Sequence, residues 1–301
     1  MSIKMSHPAV GDLGQIAVDL SHWQHDEGTL QLHPGDLGWH SLAGAAKTAM
    51  DLRVWSRDGQ MVALGMMDGP GLLRMAMDPA AHDDDELARR ISSDMNDPDA
   101  GVLVAGEATI EARGARSLRR LLSDEGWTAD ALWTPFRRDL SDATGRDLIE
   151  RTAAVRIETI GLDQVDAWVT VHWSAFKGTP FEEADKRRLS NRWATMAGGP
   201  FSHLAQHLIA FDTEGLAVAV TTVWSAGDDR PGLIEPMGVH RDHRGRGYGG
   251  AITIAGADAL KDLGSSSVMV GAENSNKGAL ATYAAAGFTA LEPVADLKRP
   301  A

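Results

Sequence analysis

Apolar and polar positions in the second half of the chain follow two different periods. The run VRIETI (155–160) is short and rich in β-branched residues, which is typical of a strand. By contrast, LDQVDAWVTVHWSAF (162–176) has apolar residues at helical spacing, which predicts a helix. The pattern predicts a mixed α/β unit in the order strand 155–160, helices 162–176 and 184–196, strands 206–212, 216–224 and 232–239, helix 251–264, strand 266–273, helix 276–287 and a last strand from Phe288.

The first half repeats this pattern in weaker form. LGQIAVDLSHW (13–23) is similar to the helix at 162–173, and LLRMAMDP (72–79) is similar to the strand at 232–239. The number of residues between matched positions changes along the chain while the order of the matched segments stays constant, which indicates a divergent duplication with insertions. We therefore predict an α/β fold of two tandem units, each a mixed central sheet flanked by helices, with residues 1–145 and 146–301 as the units and 141–152 as a polar linker. The paired positions are His22 with His172, Gly59 with Gly215, Met77 with Val239 and Gly126 with Gly287, at offsets of 150, 156, 162 and 161.

Composition narrows the functional classes. The chain has 301 residues, 43% of them hydrophobic and 24% charged, which is typical of a globular protein long enough for two domains. It has no cysteine, so thiolate nucleophiles and zinc–thiolate or iron–sulfur centres are excluded. The net charge of −13 would repel a nucleic-acid backbone, so we expect no nucleic-acid partner. No apolar run is long enough to span a membrane, so we expect a cytoplasmic protein that does not bind a membrane.

The candidate chemistry lies in a glycine-rich turn between a predicted strand and a predicted helix. The segment Arg244-Gly245-Arg246-Gly247-Tyr248-Gly249-Gly250 lets the backbone approach a ligand closely, and amides at a helix start bind phosphate. It lacks the Gly-Lys-Ser/Thr of a P-loop. It also follows predicted antiparallel hairpins, whereas a dinucleotide fingerprint lies in a parallel βαβ unit. The segment is also compatible with a tight turn and helix cap alone.

Three segments in the same order and spacing resemble the GNAT superfamily of acyl-CoA-dependent N-acyltransferases. They are Val239 at a strand end, Arg244-x-x-Gly247-x-Gly249 at a helix start, and Asn276-x-x-Ala279-x-x-x-Tyr283-x-x-x-Gly287-Phe288. One departure is Arg241, where members of the superfamily often have proline. The resemblance covers about residues 151–298 and extends, through the tandem pattern, to mycothiol synthase-like and natural-product acetyltransferases. It implies acetyl-CoA as co-substrate, with Met237, Val239, Arg244, Gly245, Arg246, Gly247, Tyr248, Gly249, Gly250 and Asn276 as its binding residues.

The resemblance also implies catalytic roles. Tyr283 would protonate the CoA thiolate as it leaves, and a phenol can stay protonated at neutral pH and donate a proton. Because an amine must be neutral to attack a thioester, a base is also required, and Glu235 on the strand 232–239 is the leading candidate. Glu235 could instead bind a cationic amine, Tyr283 could be a structural residue at a helix rim, and Asn276 could be a plain helix cap. Other possible bases are His172, His203, His207 and Asp212.

The first half has lost these residues. Where the second half has Arg241–Gly247, the first has Ala80-Ala81-His82-Asp83-Asp84-Asp85-Glu86, whose four carboxylates would cap a helix and repel a diphosphate. The position of Tyr283 corresponds to the neighbourhood of Leu122, which cannot donate a proton. We therefore expect a structural or substrate-shaping role for the first half.

Together these features predict an N-acetyltransferase that moves an acetyl group from acetyl-CoA to a primary amine of a small molecule by direct attack, with no metal. The acidic composition favours a cationic acceptor. A non-catalytic acyl-CoA-binding or sensor protein is the alternative, and an intact Tyr283 argues against it. The identity of the acceptor, the acyl chain length and the oligomeric state are left open.

Overall fold

The computed structural model describes residues 2–141 and 154–300. The predicted boundary between residues 145 and 146, and nearly all of the predicted linker, lie outside the described residues. The helices are α1 (Leu13–His22), α2 (Pro34–His40), α3 (Ala45–Asp51), α4 (Asp85–Asn96), α5 (Arg116–Asp124), α6 (Val165–Phe176), α7 (Glu183–Ala197), α8 (Tyr248–Asp262) and α9 (Lys277–Ala285). The strands are β1 (Ile3–Ser6), β2 (Leu52–Arg57), β3 (Gln60–Met67), β4 (Leu72–Met77), β5 (Ala108–Glu111), β6 (Thr128–Asp139), β7 (Arg156–Thr159), β8 (Ala205–Phe211), β9 (Ala217–Trp224), β10 (Gly232–Val239), β11 (Ser267–Glu273), β12 (Thr289–Ala290) and β13 (Val294–Arg299).

The predicted mixed α/β order of the second half is confirmed. Strand β7, helices α6 and α7, the strands β8 to β10, and then α8, β11 and α9 follow one another as the periodicity indicates. The last predicted strand is divided into β12 and β13, separated by Leu291–Pro293. Proline cannot donate to a strand ladder, so Pro293 is placed at a break between strands.

The internal repeat is visible in the strand registers. In the first half Met77 of β4 lies opposite Ala63 of β3, and in the second half Val239 of β10 lies opposite Ala219 of β9. These pairs have the offsets of 162 and 156 residues that the sequence comparison gives. The hairpins β3–β4 and β9–β10 are thus equivalent and have the same register, which confirms the predicted tandem repeat at this position.

The two halves share one sheet, and they do so by exchanging strands. Among the described residues, thirteen strands form a single sheet in which β12 pairs only with β6. The carboxyl-terminal part of β6, which belongs to the first half, pairs with β11 of the second half. In return β13, from the end of the chain, pairs with β5 of the first half. Each half therefore completes the sheet of the other.

Helix α2 packs the first half against the second. It lies directly on Trp224 of β9, so close that a Cβ added at Gly35 or Gly38 would lie 2.5 or 2.2 Å from the Trp224 side chain. Trp224 is fully buried, and its indole nitrogen donates to the carbonyl oxygen of Glu235 at 2.7 Å. Residues of both halves thus form one apolar core under β10. Within the described ranges, no helix is long and apolar enough to cross a membrane.

Candidate active site

Strand β10 separates from its neighbour part of the way along its length. Its parallel pairing with β11 covers only Gly232 with Val268 and Leu233 with Met269. On the other edge the register with β9 shifts between Ile234 and Met237, around Pro236. Proline cannot donate to a strand ladder, which fits an irregularity at this position. The carboxyl-terminal half of β10 consequently has one edge that faces an opening in the sheet.

A cleft of about 480 Å³ occupies this opening, between the end of β10, the start of α8 and helix α9. Nine of the ten predicted acetyl-CoA-binding residues line it, whereas Arg246 is exposed and lies outside its lining. Asn276 also caps α9, because its Oδ1 accepts from the amide of Ala279 at 3.1 Å. The lining residues that sequence reasoning missed are Ala175, Phe176, Gly238, Gly278, Ala279 and Thr282.

The glycine-rich turn has the geometry of an anion site. Gly245 and Gly247 have φ angles of +76° and +85°, a left-handed conformation that glycine adopts without steric cost. Helix α8 begins immediately afterwards at Tyr248, so the first amides of the helix have no partner within it. Arg244 is fixed alongside, donating from Nη2 to the carbonyl of Ala175 at 2.8 Å. These groups fit a diphosphate, which a helix start with neighbouring guanidinium groups would bind.

A second cleft, of about 290 Å³, lies farther back along β10 and contains Glu235. Leu233, Glu235 and Gly271 are its lining residues from the second half. The first half supplies the other lining residues, namely Leu30, Gln31, Asp36, Asp68, Leu72, Arg74, Glu111, Arg113 and Trp133. Among the described residues the lining therefore contains four carboxylates and two guanidinium groups, namely Asp36, Asp68, Glu111 and Glu235 with Arg74 and Arg113. Sequence reasoning missed this contribution.

Charge in the second cleft is organised around Arg74. Its guanidinium donates to Asp36 at 2.8 Å and to Glu111 at 3.1 Å. Glu235 lies beside this network with a half-buried side chain. Loss of water around the carboxyl group, helped by the charge of Asp36 and opposed by Arg74, raises the pKa of Glu235 to about 7. A carboxyl group with that pKa can accept a proton at neutral pH.

Tyr283 belongs to α9 and directly follows Thr282, which lines the first cleft. Its side chain is 5% exposed and packs against Phe136 and Phe288, with ring centroids 5.6 and 6.2 Å away. Burial, together with the charge of Glu235, raises the pKa of the Tyr283 phenol above its usual value. The hydroxyl group therefore stays protonated and can donate a hydrogen bond.

The four other candidate bases lie outside both clefts. His172 stacks on Trp168 at 5.2 Å, and burial lowers its pKa to about 4. His207 is hydrogen-bonded to Thr222 at 2.9 Å, and burial likewise lowers its pKa to about 4. Asp212 accepts from amides of the β8–β9 turn. His203 is exposed in a short helical turn before β8.

The acidic segment of the first half caps a helix as predicted. Asp84 Oδ1 accepts from the amide of Leu87 at 2.9 Å at the start of α4. Asp84 also pairs with Arg57 at 2.6 Å, and Asp83 pairs with Arg116. Leu122 is fully buried in the core of the first half. By the sequence correspondence, these carboxylates occupy the position that the glycine-rich turn has in the second half.

Comparison with known proteins identifies relatives that cover much of the chain. The model of a family described as "Acetyltransferase (GNAT) family" matches residues 165–288. A mycothiol acetyltransferase of Mycobacteroides abscessus is 30% identical over 213 residues, which cover 63% of this chain and 70% of that protein. One from Rhodococcus jostii is 26% identical over 267 residues, 83% of each chain. A tandem GNAT protein from the clavulanic acid biosynthesis pathway has a similar fold, with a TM-score of 0.63 at 17% identity over 99% of this chain and 98% of that one.

Proposed function

We propose that this chain, which belongs to the GNAT acetyltransferase family, transfers an acetyl group from acetyl-CoA to the primary amine of a small molecule. One observation carries the proposal. A cleft with a diphosphate-type turn and a cleft rich in carboxylates lie next to each other along β10, on either side of Pro236. Acetyl-CoA in the first cleft would direct its thioester toward an amine in the second.

The reaction we infer is a direct attack. The neutral amine nitrogen attacks the thioester carbonyl carbon, the carbon–sulfur bond breaks, and the electron pair leaves on sulfur. Glu235 takes the proton that the amine loses, directly or through a water molecule, since its raised pKa suits a base near neutral pH. Tyr283 donates a hydrogen bond toward the leaving sulfur. Backbone groups of Met237 and Val239, at the open edge of β10, hold the pantetheine arm.

The acceptor we propose is a small cationic amine. The surplus of carboxylates in the second cleft attracts an ammonium group, which must lose a proton before it attacks. The relatives named mycothiol acetyltransferase support a small-molecule acceptor.

An acceptor series tests this class. Aminosugars, polyamines, amino acids and neutral primary amines would be compared with acetyl-CoA in an assay for released thiol. We expect the highest kcat/KM for amines without a carboxylate that carry an additional positive charge, and a decrease with rising ionic strength because the attraction is screened. A preference for anionic amines would overturn the cationic acceptor and leave acetyl transfer intact.

Glu235→Gln tests the base. The substitution is nearly isosteric, so fold and acetyl-CoA binding should persist, while kcat/KM falls by about 10²- to 10⁴-fold. In the wild type the carboxylate is the active form, so kcat/KM should decrease as the pH falls below about 7. That acidic limb should disappear in Glu235→Gln.

Glu214→Gln, in the exposed β8–β9 turn, is the matched control and should retain the wild-type profile. If Glu235 only holds a cationic acceptor, KM for the amine should rise with kcat preserved. Wild-type kcat, KM and pH profile in Glu235→Gln would exclude both roles for Glu235.

A further inference from the structure

The first half contains a counterpart of the opening in which we place the pantetheine arm. Parallel pairing of β4 with β5 ends at Arg74 and Glu111, whereas β4 continues to Met77. By the shared hairpin register, Met75 and Met77 of β4 correspond to Met237 and Val239 of β10. The backbone groups of Met75 and Met77 are thus the first-half equivalents of those proposed to hold acetyl-CoA.

In the first half these backbone groups are bonded to the chain itself. The amide of Leu32 donates to the carbonyl of Met75 at 3.1 Å. The amide of Met77 donates to Gln31 Oε1 at 3.1 Å, and His82 Nε2 lies 3.2 Å from the carbonyl of Met77, as a donor. Residues 31 and 32 therefore occupy the edge of β4 where a second pantetheine arm would lie.

The same segment leads into the wall of the second cleft. Leu30, Gln31 and Asp36 line that cleft. Asp36 accepts from the amide of His33 at 2.6 Å, at the start of α2, and from Arg74 at 2.8 Å. Gln31 is buried, and its Nε2 donates to the carbonyl of Trp23 at 3.4 Å, so both ends of its amide hold protein groups.

We propose that the disused acyl-CoA opening of the first half anchors the wall of the acceptor cleft, with Gln31 as the positioning residue. Gln31 and Leu32 bind the edge of β4, and this contact fixes where Asp36 stands relative to Arg74 and Glu235. The contact of Gln31 and Leu32 with β4 is inferred from hydrogen bonds alone. Its effect on acceptor binding rests on the proposed function. It assigns to the first half a role in acceptor binding that does not involve a second acetyl-CoA.

Two substitutions separate the hydrogen bond from packing. Gln31→Met keeps the length of the side chain but cannot accept a hydrogen bond of comparable strength from the amide of Met77. Gln31→Ala removes both the hydrogen bond and the packing of the long side chain. Gln15→Ala, on the exposed face of α1, is the matched control. Hydrogen exchange of the full chain is the readout that does not depend on activity. We expect the amides of Leu32 and Met77 to exchange about tenfold faster in both Gln31 variants and unchanged in Gln15→Ala, since an unpaired buried amide is costly.

Steady-state kinetics with the best amine is the second readout. We expect KM for the amine to rise about tenfold in Gln31→Met, with kcat within about twofold of wild type and KM for acetyl-CoA unchanged. A merely structural role would lower kcat through loss of folded enzyme and leave both KM values alone. Unchanged exchange, or an unchanged KM for the amine, in Gln31→Met would overturn the anchor. Failure of the proposed function is seen separately, as a wild type that acetylates no amine, and the exchange measurement then still decides whether the anchor exists.

Discussion

Replacing Gly247 by aspartate is expected to abolish acetyl-CoA binding while the chain stays folded. Gly247 immediately precedes α8, in a left-handed conformation with φ of +85°. An aspartate there would place a negative charge beside the first amides of the helix, where we propose that the diphosphate binds. Binding would be measured by calorimetry, with the wild type taking up one equivalent of acetyl-CoA.

Two controls isolate the charge. Gly247→Ala has the same left-handed φ but no carboxylate, so it should bind acetyl-CoA more weakly than wild type and still measurably. Asp84→Asn alters the corresponding region of the first half, where the carboxylates would repel an anion, and should leave binding unchanged. Tight binding by Gly247→Asp, or two tight sites on the wild-type chain, would contradict the placement of the single site in the second half.

Tyr283→Phe should lower kcat by roughly 10- to 1000-fold with little change in acetyl-CoA affinity. The phenylalanine ring keeps the packing against Phe136 and Phe288, and only the hydroxyl group is lost. Because that group would act on sulfur as the carbon–sulfur bond breaks, its loss affects the transition state more than the bound substrate.

Single-turnover measurement of thiol release, with enzyme in excess over acetyl-CoA, checks this prediction free of product release. Thermal unfolding of the variant checks that the core is preserved. A single-turnover rate equal to that of the wild type would show that Tyr283 does not assist the departure of the thiolate and is a buried structural residue.

The first cleft could be predicted from sequence because its residues are close together along the chain. Glycines at a strand-to-helix junction, and an asparagine that begins the next helix, are local features whose physical consequences do not depend on distant contacts. Arg246 belongs to the same segment but is exposed and lies outside the cleft lining, since spacing along a turn does not determine which residues line a cleft. Its role in acetyl-CoA binding stays a prediction.

The second cleft could not be predicted in the same way. Asp36, Arg74 and Glu111 are far apart in sequence and meet Glu235 only because the halves share a sheet. The exchange of β6 and β13 leaves no local signal, since the apolar alternation of a strand shows which face is buried and not which strand lies beside it. Of the residues Asp36, Arg74 and Glu111, only Arg74 lies in a segment that the sequence predicts as a strand, 72–79, where it is paired with Glu111 of β5.

Acetyl transfer itself is most directly tested by following both products in one reaction. The full chain would be incubated with acetyl-CoA and the best amine of the acceptor series, and released CoA thiol and acetylated amine would be quantified together. We expect equal amounts of the two products, formed only when the amine is present and lost in Gly247→Asp. Binding of acetyl-CoA with no thiol released for any amine would contradict the proposed transfer and identify a non-catalytic acyl-CoA-binding protein.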